Sequence, residues 1–111
     1  MNLKYDAPKE ITKAEFSNIV SVGVIALICE AIVRAVHFIY DYDWLVEQFV
    51  PLLNHPSPEV RGTTITCFGH LARLNQDANK QQLLRILEPL LADEQLAGRI
   101  EDAIDDINTF L

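Results

Sequence analysis

Cysteine is scarce in this sequence: only Cys29 and Cys67 occur among its 111 residues. Two cysteines cannot build the disulfide framework that stabilises small secreted domains. Both lie within apolar helical patterns, where a thiol usually behaves as a small hydrophobe. The sequence therefore predicts two reduced, buried thiols in a reducing compartment, which indicates the cytoplasm.

We also expect no leader and no membrane segment. The first residues do not join a basic region to an apolar run, as a signal peptide does. The uncharged run at residues 19–29 is shorter than the roughly 20 residues that a membrane helix needs, and Glu30 and Arg34 follow it. We therefore expect no membrane contact.

Motifs for catalysis and for metal binding are absent. The sequence has no HExxH, no CxxC and no glycine-rich phosphate loop. Its three histidines, His37, His55 and His70, do not have the spacing of metal ligands. We expect His55 to lie in a turn and His70 on the solvent side of its helix. The sequence thus predicts a protein that is not an enzyme and holds no metal and no cofactor.

Basic residues are few, nine against sixteen acidic ones, and the net charge is −7. Residues 1–40 contain four acidic and four basic side chains, so the whole acidic excess lies in residues 41–111. An acidic surface repels the phosphate backbone of nucleic acids and attracts basic proteins. We therefore expect a basic protein partner and no direct nucleic-acid binding.

Apolar residues recur at helical spacing almost throughout the chain, and strand patterns are scarce. The length suits one domain, residues 1–111, and the class is all-α. A short first helix is expected to begin near Thr12, or near Asp6 and Pro8. Further helices are expected at residues 18–40, 44–53, 58–74, 79–91 and 95–110, with Ser57 capping the fourth.

An internal repeat of about 40 residues is visible in the apolar pattern. One set of residues recurs 38 positions later: Leu45, Val46, Phe49, Pro51, Leu52 and Leu53 match Leu83, Leu84, Leu87, Pro89, Leu90 and Leu91. The next helix recurs 40 positions later, with Val60, Thr63, Thr64, Cys67, Phe68 and Leu71 matching Ile100, Ala103, Ile104, Ile107, Asn108 and Leu111. A fainter copy precedes both, with Val20, Gly23, Val24, Leu27, Ile28 and Ala31. These offsets predict three stacked helical hairpins, in which the positions matched at a shift of 40 face inward.

Residues 49–61, followed by Gly69-His70-Leu71, resemble the HEAT repeat. The likeness is good over residues 44–74 and loose over residues 82–111, and His55 stands where the family usually has aspartate. The resemblance implies a short HEAT-like α-solenoid that serves as a protein-binding surface. It also implies that Arg61 is a structural ion-pair or capping residue between adjacent repeats.

Acidic residues are concentrated near the end of the chain. They are Asp93, Glu94, Glu101, Asp102, Asp105 and Asp106, opposed only by Arg99. Two pairs in the last helix are spaced i, i+4, where like charges cost on the order of 0.2 to 0.5 kcal/mol each. This surface is either a solvated cap on the last repeat or a docking face for a basic partner, and we select these six residues as the candidate partner-binding site.

The apolar second helix offers another possible interface. Val22, Ile25, Ala26 and Cys29 lie opposite its inward stripe, so the helix is apolar on nearly all faces. Such a helix is either enclosed by the N-terminal segment and the third and fourth helices, or partly used in a dimer or partner contact. The oligomeric state stays open.

A small, acidic, HEAT-like protein without catalytic motifs is similar in design to the immunity proteins of bacterial toxins, including those of contact-dependent growth inhibition. The resemblance implies a module that binds a basic cognate toxin domain, for example a nuclease, and covers its active site. The alternatives are a generic scaffold or adaptor, including a piece of a longer solenoid, and a small HEAT-like lyase subunit. Met1 and the capping last helix weigh against the piece, and the missing acid, base and nucleophile array weighs against the lyase.

Overall fold

The computed structural model describes residues 8–111, which are all-α and contain no strand. Six α-helices and one 3-10 helix follow one another along the chain. They are α1 (Lys13–Val22), α2 (Ile25–Phe38), α3 (Tyr42–Leu52), α4 (Pro58–Leu74), α5 (Lys80–Leu87), the 3-10 helix (Glu88–Ala92) and α6 (Ala97–Phe110). The fold class predicted from the sequence is confirmed.

Consecutive helices pair into three hairpins, α1 with α2, α3 with α4, and α5 with α6. The second helices of the hairpins, α2, α4 and α6, form one continuous layer, in which α4 packs extensively against both neighbours. A single hairpin cannot bury its apolar stripe alone, so this layer is what joins the repeats into one core.

The long second helix expected at residues 18–40 is two helices, α1 and α2, and that expectation was wrong. The chain turns at Gly23, whose φ of 88° lies in the left-handed region that glycine adopts without steric cost. The Gly23 N–H donates to the Ile19 carbonyl and ends α1. Apolar spacing continues across the turn, which is why periodicity alone predicted one helix.

Capping residues set the starts of the helices. Thr12 and Glu15 form a reciprocal capping box, so the first helix begins at Lys13 as the Thr12 alternative predicts. Asp6 lies outside the described residues. Asp41 caps α3 and starts it two residues before the expected position 44. Ser57 caps α4, with Pro58 at its first position, as expected.

The turn before α4 is held by two side chains of the same repeat. His55 accepts a hydrogen bond at Nδ1 from the Ser57 N–H (3.0 Å), which confirms its place in the turn. Arg61 donates to the carbonyl oxygens of His55 (2.8 Å) and Pro56 (3.1 Å). Arg61 therefore caps the turn of its own repeat and forms no ion pair within residues 8–111.

The fifth helix ends earlier than expected. Instead of continuing to residue 91, α5 stops at Leu87 and tightens into the 3-10 helix. Pro89 has no N–H to donate to a preceding carbonyl, so the regular helical ladder is interrupted there. The sixth helix begins at Ala97, two residues after the expected start.

A chain of aromatic rings crosses the core. Phe16 of α1, Phe49 of α3 and Phe68 of α4 are buried, with ring centroids 6.2 Å and 6.0 Å apart along the series. These separations suit favourable tilted and edge-to-face contacts. The three rings tie the first hairpin to the second, and the inward position predicted for Phe68 is confirmed.

Most inward positions predicted for the middle repeat are buried, but the outer repeats differ. Gly23, Val24 and Leu27 in the first repeat, and Asn108 and Leu111 in the last, are exposed, so their predicted inward placement was wrong. The first and last hairpins each have a neighbouring hairpin on one side only. A position that is buried in the middle hairpin can therefore be exposed in an outer one. Cys67 is buried, whereas Cys29 is only half-buried.

Candidate docking surface

The six acidic residues selected from the sequence lie on α6 and in the turn before it. Five of them are exposed, and Asp106 is half-buried. Within residues 8–111 the ion pairs are Lys13 with Asp41 and Arg34 with Glu15, so none of the six is neutralised by a salt bridge there. Their negative charge is presented to solvent.

The packing of α6 on α4 divides these acids into two groups. Gly62 lies against Arg99, and Gly69 lies against Asp106, so the two helices run side by side in one register. Asp102 falls on the same stripe of α6, one turn from each. The spacing places Glu101 and Asp105 on the side of the helix turned away from this stripe. The four acidic residues on α6 thus lie on two different faces of that helix.

The two acids before α6 differ in what they do. Asp93 accepts a hydrogen bond at Oδ1 from the Gln95 N–H (3.0 Å), and its carbonyl accepts from Leu96 and Ala97. Asp93 therefore shapes the turn into α6, while the neighbouring Glu94 is exposed with no such bond within the described chain. The structure gives Asp93 a local structural role beside any role in docking.

Two histidines meet where α2 packs on α4. The rings of His37 and His70 are 6.3 Å apart. His37 donates from Nδ1 to the Val33 carbonyl (2.9 Å), and Arg73 donates to Nδ1 of His70 (3.1 Å). His70 is half-buried at this seam, so its predicted solvent-side position was only partly correct. The apolar spacing within α4 does not show that α2, through His37, lies beside the His70 ring.

Burial lowers the pKa of His70 below its ordinary value. The nearby Arg73 and His37 lower this pKa further, while Asp106 on α6 opposes the shift. The acceptance of the Arg73 hydrogen bond at Nδ1 agrees with a neutral ring. His37, His70 and Asp106 thus form a polar series across the three helices of the layer.

The apolar stretch that was expected as the second helix corresponds mainly to α2, which is buried along only part of its length. Its C-terminal part is buried, with Ile28, Ile32 and Val36 in the core. At its N-terminal end Val24, Ile25 and Leu27 are exposed, so within the described residues the enclosure expected for the whole helix was wrong there. The described N-terminal segment contacts the C-terminal half of α2 and not its exposed end. Arg34 of that half donates to the Lys9 and Glu10 carbonyls.

The geometry of the described residues also bears on three other features: a metal site, a reactive thiol and a membrane-spanning helix. Within residues 8–111, no group of three or more His, Cys, Asp and Glu side chains is placed to hold a metal ion. Burial raises the pKa of Cys67 to about 12, so this thiol stays protonated at neutral pH. None of the helices in the described part of the chain is long and apolar enough to cross a membrane.

Comparisons with known proteins agree with this architecture. The family model for the HEAT repeat matches residues 45–74. The fold is similar to one chain in the crystal structure of a CDI complex from Cupriavidus taiwanensis LMG 19424, with a TM-score of 0.85 and 28% sequence identity over 98% of each chain. A comparison with curated proteins finds no match. Residues 45–74 thus match the HEAT repeat, and residues 8–111 as a whole form three stacked α-helical hairpins.

Proposed function

We propose that this protein is an immunity protein of a contact-dependent growth inhibition system, which binds and neutralises a cognate toxin domain. The observation that carries the proposal is the likeness, over 98% of both chains, to a component of a CDI complex. A component of a complex acts by binding its partner. A likeness that extends over the whole fold supports a protein-binding function for this chain too.

The charge of the protein supports a basic partner. The exposed carboxylates of α6 repel one another in the free protein and have no salt bridge within residues 8–111. Binding to lysine and arginine side chains would relieve that repulsion and would also speed encounter. If the toxin is a nuclease, these carboxylates would compete with substrate phosphates for the same basic side chains, which is how covering the active site would stop the reaction.

The contacts of the buried thiol and of the two histidines between α2 and α4 support a binding module over an enzyme. The Cys67 thiol is buried and protonated, and His70 accepts its hydrogen bond from Arg73, a residue that does not give up its proton in proteins. His37 is bonded to a main-chain carbonyl. Neither described histidine of the seam is therefore paired with a group that it could activate.

Co-expression provides the direct test. The C-terminal domain of the protein encoded immediately upstream would be induced in a bacterial host with and without this chain, and growth and complex formation would be measured. We expect the domain alone to stop growth, and this chain to restore growth and to co-purify with it. A toxin domain from an unrelated system is the control and should stay toxic. A toxic upstream domain that this chain neither binds nor neutralises would contradict the proposal.

A further inference from the structure

Tyr40 is the most exposed large apolar or aromatic side chain in residues 8–111, at 80%. Both of its neighbours are anchored. Ile39 is buried and its N–H donates to the Ala35 carbonyl (2.9 Å), while Asp41 caps α3 and binds Lys13 (2.6 Å). The Tyr40 ring therefore projects from a short turn in which both neighbouring residues are held by hydrogen bonds. An aromatic side chain held in this way loses little conformational freedom when a partner covers it.

Concave surface lies on both sides of Tyr40. A cleft of about 270 Å³ separates it from Leu74 and the turn at residues 75–77. A second cleft of about 550 Å³ extends from Tyr40 to Asp43, Gln82 and Arg85. Asp77 borders both clefts, so the two are neighbours and Tyr40 stands between them. We name Tyr40, Asp43, Leu74 and Asp77 the turn edge.

The structure beneath the turn edge is held together by polar contacts. The Tyr42 hydroxyl donates to Oε1 of Gln82 (2.6 Å) and joins α3 to α5 below the larger cleft. Asp41 is occupied by Lys13, whose hydrogen bond lowers the pKa of that carboxyl. The clefts therefore belong to a supported surface, and the carboxylates left for a partner are those of Asp43 and Asp77.

The charge and chemistry of the turn edge fit a basic side chain. Asp43 and Asp77 are exposed and make no ion pair within residues 8–111, while Arg85 is the one basic residue that borders either cleft. A guanidinium or ammonium group is attracted to the face of a tyrosine ring and to carboxylates beside it. Leu74 adds an apolar wall for the aliphatic stem of the same side chain.

Leu74 of the turn edge ends α4, and Gly69 and His70, about one turn earlier in that helix, lie beside Asp106 of α6. With a rise of about 1.5 Å per residue, Leu74 is roughly 6 to 8 Å along α4 from these two residues. A partner that meets Asp106 and extends along the end of α4 would therefore come close to the turn edge.

We infer that Tyr40 is the anchor of the toxin interface and receives an arginine or lysine of the toxin domain between Asp43 and Asp77. The inference rests on the proposed function, because the basic toxin is the occupant. Tyrosines in such positions carry a large share of binding energy at protein interfaces, whereas exposed charges at the rim contribute more to encounter.

Binding kinetics of single variants would test the anchor. The upstream toxin domain would be immobilised in an inactive form, and wild-type protein, Tyr40→Ala, Tyr40→Phe and Leu27→Ala would be passed over it. We expect Tyr40→Ala to weaken binding by roughly thirtyfold, mainly through faster dissociation. Tyr40→Phe keeps the ring and should bind within about threefold of wild type. Leu27→Ala removes an exposed apolar side chain at the other end of α2 and should change little.

The outcomes distinguish a failure of the inference from a failure of the proposed function. If the wild type binds and neutralises the toxin but Tyr40→Ala binds equally well, the anchor is wrong and the immunity function stands. A large loss with Leu27→Ala and none with Tyr40→Ala would move the interface to the exposed end of α2. If the wild type does not bind, both proposals fall. Equal urea midpoints for all four proteins would exclude misfolding as the cause of any loss.

Discussion

Gly69 of α4 lies so close to Asp106 of α6 that a Cβ atom at position 69 would stand 2.9 Å from the carboxylate Oδ2. The same atom would be 3.3 Å from Cα of Ala103, which is main chain and cannot turn aside. The approach of these helices, which carries the acidic stripe of the proposed interface, thus depends on the missing side chain at position 69.

Gly69→Ala should destabilise the protein despite the better helix propensity of alanine. The added methyl group would push α6 away from α4, and overpacking of this kind costs about 1 to 3 kcal/mol. Urea unfolding followed by circular dichroism measures the effect. Gly62→Ala is a matched control, because the atoms nearest to its Cβ would be those of the Arg99 guanidinium, which can move. We expect Gly62→Ala to be neutral or to gain up to about 1 kcal/mol. Equal stabilities for the two variants would contradict the close approach at Gly69.

Phe68→Ala should cost about 3 to 5 kcal/mol, because Phe68 is fully buried and touches Phe49 at the centre of the aromatic series. Phe110→Ala removes the same side chain from a half-exposed position at the end of α6 and should cost much less. The free energies of unfolding of both variants would be compared by urea titration. A cost below about 1 kcal/mol for Phe68→Ala would show that α4 buries a different face.

The middle repeat was predictable from sequence because its features are local. Ser57, Pro58 and the apolar spacing of α4 act within a few residues, and each was read correctly. The break at Gly23 was missed because a single glycine interrupts neither the apolar pattern nor the charge pattern. The left-handed conformation of Gly23 is required by the packing of α1 against α2. The sequence shows only that a glycine is able to adopt it.

The candidate site could be predicted as a helix but not as a surface. The run of acids identified α6, yet the choice between its two faces follows from the glycines of α4, which are distant in sequence. The sequence does not predict that Tyr40 is exposed, because a tyrosine next to an isoleucine is typical of a buried segment. Its exposure in the turn between α2 and α3 depends on how those two helices pack, which the sequence around it does not show.

Acidification should destabilise the protein through His70. The unfolded chain takes up a proton at the ordinary histidine pKa of about 6.5, whereas the folded protein, with its lowered pKa, takes it up only at lower pH. The unfolded state therefore binds more protons, and the free energy of unfolding falls as the pH drops below about 6.5. His70→Gln should flatten this fall, and Arg73→Gln should reduce it by removing one of the charges that lower the pKa. Urea titrations between about pH 5.5 and 7.5 would check this, and an unchanged slope in His70→Gln would assign the fall to other groups.

Replacing Asp102 and Asp106 together by asparagine should slow association with the toxin domain while leaving folding intact or slightly improved. The change removes a like-charge pair at i, i+4, whose repulsion is on the order of 0.2 to 0.5 kcal/mol, and it weakens long-range attraction to a basic partner. The effect on the association rate should shrink as salt rises, because charges at a rim are screened within roughly 8 to 10 Å at physiological ionic strength. Glu101→Gln with Asp105→Asn is the matched control: it removes the same charge from the side of α6 turned away from α4. Equal slowing by both double variants would mean that net charge alone steers the encounter. If neither double variant slows binding at low salt, α6 is only a solvated cap on the last repeat.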